Sequence, residues 1–442
     1  MPQGVATIIY GLLVLALFWL NRDHKSRVSA ALWIAVVWLW ISASRPMSQW
    51  FGVAPVMQSP DQYLEGSPLD RLVSATLLAA GLTVLLARGG RTRTFLQMNG
   101  PLLAFFSYCV LSILWSDYPF VAFKRWTKAL GNLIMVLLVL TDRDPPAAVK
   151  CFLARTGFLL IPFSILLIKY YPEVGRGYSP WTWTPYYGGV SIGKNGLGIV
   201  CLVFGLGSLW RLLESLHSRE HPHVGRLRIA HAAIVAMALW LFWKADSATS
   251  LACFLVGGGL ITLTSRRGFA LRPALVHTLT AGIVSLCLFG LFLNSDAGLV
   301  QAMGRNSTLT GRTQLWEELL RMTADPWFGT GFESFWLGER AKWMWENHWW
   351  HPNQAHNGYL EIFLNLGWLG VALLSFIIVW GYRNVVDALR RDPETGRLKL
   401  AYFGAAVLYN MTEAAFKGTH PVWIAFLLAV TIVPKPSHRE KG

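Results

Sequence analysis

Thirteen mostly apolar runs divide the chain, at about 4–20, 28–44, 72–87, 98–115, 128–141, 149–168, 194–210, 229–244, 250–264, 274–293, 357–380, 400–416 and 421–434. A helix needs about 20 such residues to cross the hydrocarbon core of a bilayer. Several runs are shorter than that, which puts the expected number of spans at twelve or thirteen. Charged residues make up only 14% of the 442 positions, against about 25% in a soluble domain. Too little charge is present to cover a water-facing surface of that size, which excludes an ordinary soluble enzyme, a disordered chain and a disulfide scaffold. The expected fold class is an all-α polytopic membrane protein.

The formal charge of +15 is a topology signal before it is a binding signal. Lysine and arginine gather in cytoplasmic connections. The connections 21–27, 88–93, 142–150, 211–228, 265–272, 382–399 and 435–442 hold 23 of them, and the alternate set holds 12 despite its greater length. The first set is therefore assigned to the cytoplasm, with the N-terminus outside. No nucleic-acid partner is implied. Cys109, Cys151, Cys201, Cys253 and Cys287 all fall in or at the start of apolar runs and read as packing residues. No stretch reads as a cleaved signal peptide.

No cytoplasmic connection is long enough for a folded domain. On the outer side 45–71, 169–193 and above all 294–356 are longer, and long ordered loops carry function. The chain reads as an N-terminal bundle (1–293), a long outer loop with the chemistry (294–356) and C-terminal helices (357–442).

Within that loop, Leu315, Trp316, Leu319 and Leu320 recur at helical spacing, and Asp325-Pro326 marks the stop. The spacing predicts an amphipathic helix at the outer interface. Arg312 falls in its predicted first turn, where a cation is reasonable if an anion is shared with the free N–H groups. Gly329-Thr330-Gly331 marks a tight turn or a close backbone approach. His356 stands where the chain re-enters the membrane, able to bind phosphate when charged or take a proton when neutral. His348, His351 and His356 lack the cysteine or carboxylate company of a metal site, so no metal and no cofactor is expected. Asp142-Arg143-Asp144 reads as a solvated loop, and Glu317, Glu318, Glu333 and Glu361 remain isolated acid–base candidates.

Trp327, Trp336, Trp343, Trp345, Trp349 and Trp350 crowd residues 327–350. Tryptophan favours membrane interfaces, and indole faces also stack on apolar faces of sugar rings; Trp336, Trp349 and Trp350 are the glycan-stacking candidates. Lys124, Arg125, Lys128 and Lys194 lie on the outer side, against the topology bias. Headgroup snorkelling accounts for such residues singly. Arg125 and Lys194, taken with Arg312 and His356, also suit a diphosphate.

Three series together carry a resemblance. Gly311-Arg312-Thr313-Gln314-Leu315-Trp316, Pro326-Trp327-Phe328-Gly329-Thr330-Gly331-Phe332, His356-Asn357-Gly358-Tyr359-Leu360-Glu361 and Gly367-Trp368-Leu369-Gly370 form the first, over about 304–372. Gly193-Lys194-Asn195-Gly196-Leu197-Gly198 is the second and Trp115-Ser116-Asp117-Tyr118-Pro119 through Arg125 the third. The ordered set resembles the O-antigen ligase and O-antigen polymerase superfamily, and within it exopolysaccharide polymerases.

The resemblance implies a bacterial inner-membrane glycosyltransferase of GT-C type acting on the periplasmic face. It implies an undecaprenyl-diphosphate-linked oligosaccharide as donor, and a lipid-linked repeat unit (polymerase) or lipid A–core (ligase) as glycan acceptor. It implies catalytic roles for Arg312 and His356, with Lys194 and Arg125 joining Arg312 and His356 on the diphosphate. Gly193 stands where the family often has a histidine. Attack opposite the leaving group would invert the anomeric centre without a metal. Membrane lipid is a further partner, and a chain-length regulator a candidate one. Polymerase is preferred to ligase. A transporter or flippase of lipid-linked sugars is the alternative from another class, and the near absence of charge inside the apolar runs weighs against it.

Overall fold

The computed structural model describes residues 1–22, 27–53, 66–179, 183–217, 224–266, 274, 277–278, 282, 308–323 and 325–433. Their regular structure is helical apart from one two-stranded antiparallel ribbon, in which Arg176–Tyr178 pairs with Pro185–Tyr187. Helices α1 (Gln3–Leu20), α2 (Leu32–Ala43), α3 (Pro68–Ala87), α4 (Gly90–Met98), α5 (Gly100–Leu111), α6 (Pro119–Leu140), α7 (Pro145–Tyr170), α8 (Lys194–His217), α9 (Val224–Ala245) and α10 (Ala248–Thr264) build the N-terminal bundle. Helices α11 (Thr308–Arg321) and α12 (Gly338–Asn347) lie in the long outer loop, and α13 (Gly358–Arg391), α14 (Pro393–Thr412) and α15 (Pro421–Val430) follow it. The apolar run 274–293 lies almost entirely outside the described residues.

The chain is an all-α polytopic membrane protein. Six described helices are long and apolar enough to cross a bilayer, or seven if α4 and α5, bent by 86°, form one broken span. Three shorter apolar helices, α2, α10 and α15, join them. Helix α6 begins at Pro119, so Lys124, Arg125 and Lys128 sit on its first turns and not in a loop. Helices α7 and α8 are the centre of the bundle, 72% buried, whereas α1 and α3 are 11% buried and present leucines and isoleucines outward. That outward surface suits lipid.

Polar contacts sort the connections into two ends. At one end Arg88 pairs with Asp142 at 3.0 Å, Lys150 bridges Glu214 and Glu394, and Arg397 donates to the Thr264 carbonyl. At the other end Arg45 donates to the Gly189 carbonyl, Ser48 to Asp70, and Arg340 and Lys194 pair with Asp117 and Asp246. These are the two alternating sets that the lysine and arginine counts separate.

The long loop has its own core. Leu315, Leu319, Phe335, Met344, Ala355 and Leu364 form it, with Trp316, Trp336, Trp345 and Trp350 packed around. This corrects the expectation of an interfacial helix: the buried stripe of α11 faces protein, with Leu319 fully buried, and only Leu320 is half exposed.

The loop is locked to the bundle by a helix break. Within α13, Gly367 has φ +63° and ψ −167°, which interrupts the ladder. The Trp368 and Leu369 N–H groups donate instead to the Pro326 and Trp327 carbonyls, and the Leu364 carbonyl accepts from Thr330. Gly329 enters the same seam against the Asn365 backbone. A Cβ on Gly367 would lie 2.2 Å from the Trp327 carbonyl oxygen. The Gly-Thr-Gly turn and the Gly-Trp-Leu-Gly segment are thus two sides of one joint. Gly367→Ala combines a positive φ with a backbone clash, an expected cost of about 3 kcal/mol. Its thermal midpoint in detergent should drop well below that of the parent. Gly259→Ala, in a helix with no atom within 4 Å of the new methyl, should hold or raise it.

Candidate functional site

The site begins with a turn between two helices. Helix α14 ends at Thr412, and Asn410, fully buried, folds the chain after it by accepting from the Ala415 and Phe416 N–H groups at 2.8 Å each. From α6, Asn132 donates to the Gly418 carbonyl at 2.6 Å, and the Gly418 N–H donates to Glu333 Oε1 at 2.6 Å. The turn 413–420 is therefore gripped from the bundle below and from the outer loop above.

Glu413 is the carboxylate this turn presents, and only 8% of it is exposed. Its Oε1 lies 3.4 Å from Arg312 Nη2 and 3.4 Å from Asn195 Nδ2, and its Oε2 lies 3.1 Å from His356 Nδ1. Arg312 also donates from Nη1 to the Thr412 carbonyl at 2.7 Å. One buried anion thus gathers a cation from α11, an amide from α8 and the imidazole before α13. Glu413 was not among the residues the sequence singled out for the site. An acidic residue closing an apolar run was the available signal.

The remaining candidates divide. Arg312 is the fifth residue of α11 and not in its first turn, so the shared helix-terminus anion is replaced by the Glu413 and Thr412 contacts. His356 has φ +50°, as rarely adopted by a non-glycine residue as the +48° of Glu333 and His351. Lys194 opens α8 but pairs at 3.5 Å with exposed Asp246; its neighbour Asn195 is what reaches Glu413. Arg125 donates to the Glu333 carbonyl. Trp336 donates to Glu361 at 2.7 Å, Trp350 packs edge-on to His348, and Trp349 is 65% exposed. His348 bonds Glu318 at 2.6 Å and His351 stacks on Trp345.

Three clefts run in series along the turn 413–420, each lined by at least one of its residues. One of about 350 Å³ is lined by Arg125, Trp336, Trp345, Gln354 and Lys417, among others. It shares Glu333 and Lys417 with a second, of about 450 Å³, that runs past Ser191, Gly193 and His420. The second shares Ser42, Ser44, Ile192 and Thr419 with a third, of about 210 Å³, walled by Trp38, Met47, Val73 and Leu77 with Lys128 at its rim. The series passes from polar and aromatic surroundings to apolar helix faces.

Residues 228–375 match the O-antigen ligase family. That span holds Arg312, His356 and the Gly367 joint, while Arg125, Lys194 and Glu413 lie outside it. The chain is also 23% identical over 325 residues to the exopolysaccharide production protein ExoQ of Rhizobium meliloti (strain 1021), covering 70% of this chain and 69% of that protein. Both comparisons make the chain similar to membrane proteins of the O-antigen ligase and polysaccharide polymerase kind, as the resemblance implied.

His420 caps α15 by accepting from the Val422 N–H at 3.2 Å through Nδ1. Burial, with the Lys417 charge, pulls its imidazole down to about 3. A base whose folded value lies below its unfolded value near 6.5 contributes stability at neutral pH that is lost as pH falls below that value. The thermal midpoint should fall between pH 7 and pH 5, and His420→Gln should flatten that slope.

Proposed function

We propose that the chain transfers a glycan from an undecaprenyl-diphosphate-linked donor on the periplasmic face of a bacterial inner membrane, extending a polysaccharide by repeat units. The observation that carries this reading is the Glu413 carboxylate holding Arg312 and His356 together beside clefts that reach both polar and apolar surroundings. The charge asymmetry supports an outer-face site, because Arg312, His356 and Glu413 belong to the arginine- and lysine-poor end.

The chemistry follows from the contacts. An acceptor hydroxyl attacks the anomeric carbon, the bond from that carbon to the diphosphate oxygen breaks, and undecaprenyl diphosphate leaves with the electron pair. Negative charge grows on the leaving group, and the guanidinium of Arg312 answers it, with Arg125 and Lys194 as further cations. Donation from His356 Nδ1–H to Glu413 leaves Nε2 to take the hydroxyl proton, the orientation logic of a carboxylate–histidine pair. Attack opposite the diphosphate inverts the anomeric centre. The donor brings its own leaving group, so no cofactor enters.

ExoQ is named for exopolysaccharide production, which favours a polymerase; the matched family is described as O-antigen ligase, which favours transfer to lipid A–core. Purified protein given one undecaprenyl-diphosphate-linked repeat unit should yield a ladder of longer lipid-linked glycans. Transfer only after lipid A–core is added would make it a ligase, and no product in either case would favour a transporter. Arg312→Ala, His356→Ala and Glu413→Gln should each lower kcat by about 100-fold or more. Unchanged turnover in any of the three would remove that residue from the mechanism.

A further inference from the structure

The cleft of about 350 Å³ has a chemistry of its own. Its walls combine the indoles of Trp336 and Trp345, the amides of Asn353 and Gln354 and the carboxylates of Glu333 and Glu361. A pyranose ring needs this mixture: an aromatic face for its C–H side, and short polar groups for hydroxyls that both donate and accept. The aromatic walls are held from behind. Trp345 lies against His351 with ring centroids 4.5 Å apart and planes 6° from parallel. Trp336 is pinned through its indole N–H to Glu361, whose other oxygen accepts from the Ala355 N–H at 2.9 Å. Both indoles pack on the core of the outer loop, unlike the exposed Trp349.

One side chain of the cleft's lining also neighbours the proposed reacting centre. Gln354 lines it, and Gln354 Nε2 lies 3.4 Å from His356 Nδ1. The apolar cleft lies at the opposite end of the series, beyond Glu333 and Lys417. We propose that the Trp336–Trp345 cleft is a carbohydrate subsite that holds a sugar ring beside His356, so that the extramembrane subdomain selects the sugar. Its placement rests on the glycan-transfer reading above. Trp345 was not among the stacking residues singled out from the sequence, and it takes the place given there to Trp349 and Trp350.

The test uses the full chain in nanodiscs and two probes. One is undecaprenyl diphosphate without sugar; the other is the water-soluble repeat oligosaccharide released from the host bacterium's own polysaccharide, read by saturation-transfer-difference NMR. The parent should bind both. Trp345→Ala should weaken the oligosaccharide about three- to ten-fold and leave undecaprenyl diphosphate within about two-fold. In turnover it should raise KM for the glycan acceptor more than it lowers kcat. Trp345→Phe, which keeps a stacking face and guards against a folding defect, should fall between. Equal oligosaccharide binding by the parent and both variants, or none by the parent, overturns the subsite. Binding of the oligosaccharide but not of undecaprenyl diphosphate by the parent supports the subsite and overturns the donor reading.

Discussion

A helix in apolar surroundings cannot leave backbone N–H groups without acceptors, because each buried orphan costs about as much as several ordinary contacts supply. At Gly367 the ladder of α13 is broken, and the carbonyls that complete it come from Pro326 and Trp327, about forty residues earlier. This exchange anchors the outer loop. It sets Phe335 within 3.0 Å of Asn365, brings Ser334 to Ser116 at 2.7 Å and lets Tyr108 reach the Leu366 carbonyl. With both flanks tied, the turn before α13 is held where His356 meets Glu413.

Electrostatics explains why the centre is built around a buried acid. Arg312 and His356 would be poorly retained near a membrane surface by their own packing, since Arg312 remains partly open to solvent. A nearly buried carboxylate gives both a fixed partner in a setting of low polarizability, where such attraction is stronger than in water. The same arrangement leaves both side chains partly exposed beside their shared carboxylate. Glu333 repeats the device on a smaller scale, fastening Gly418 through its side chain and Arg125 through its carbonyl.

The fold class was legible because bilayer physics imposes its period on every span. Alternation of basic connections also foretold which loops meet at each end, as Arg88 with Asp142 and Arg340 with Asp117 show. Arg312 and His356 were legible as unusual residues in a long outer loop. Glu413 was not, because its partners lie 57 and 101 residues away and no local pattern announces them. The burial of α11 was misjudged for a related reason: an apolar stripe states that a helix needs cover but not whether lipid or protein supplies it. Trp345 was not singled out because six tryptophans share one segment, and only the fold shows that Trp336 and Trp345 line one cleft together.

The outer loop carries a small core, and the bundle carries a large one. The pairing at Glu413 joins the two, with Arg312 and His356 supplied by the first and Glu413 and Asn195 by the second. Two bodies of such unequal size have unequal resistance to opening. The paired arrangement is therefore a docked state, and its lifetime belongs to the smaller body. A substrate long enough to touch both would act as a clamp and lengthen that lifetime. Heat would separate the parts in a set order, with the contacts at Glu413 lost while the transmembrane helices still stand.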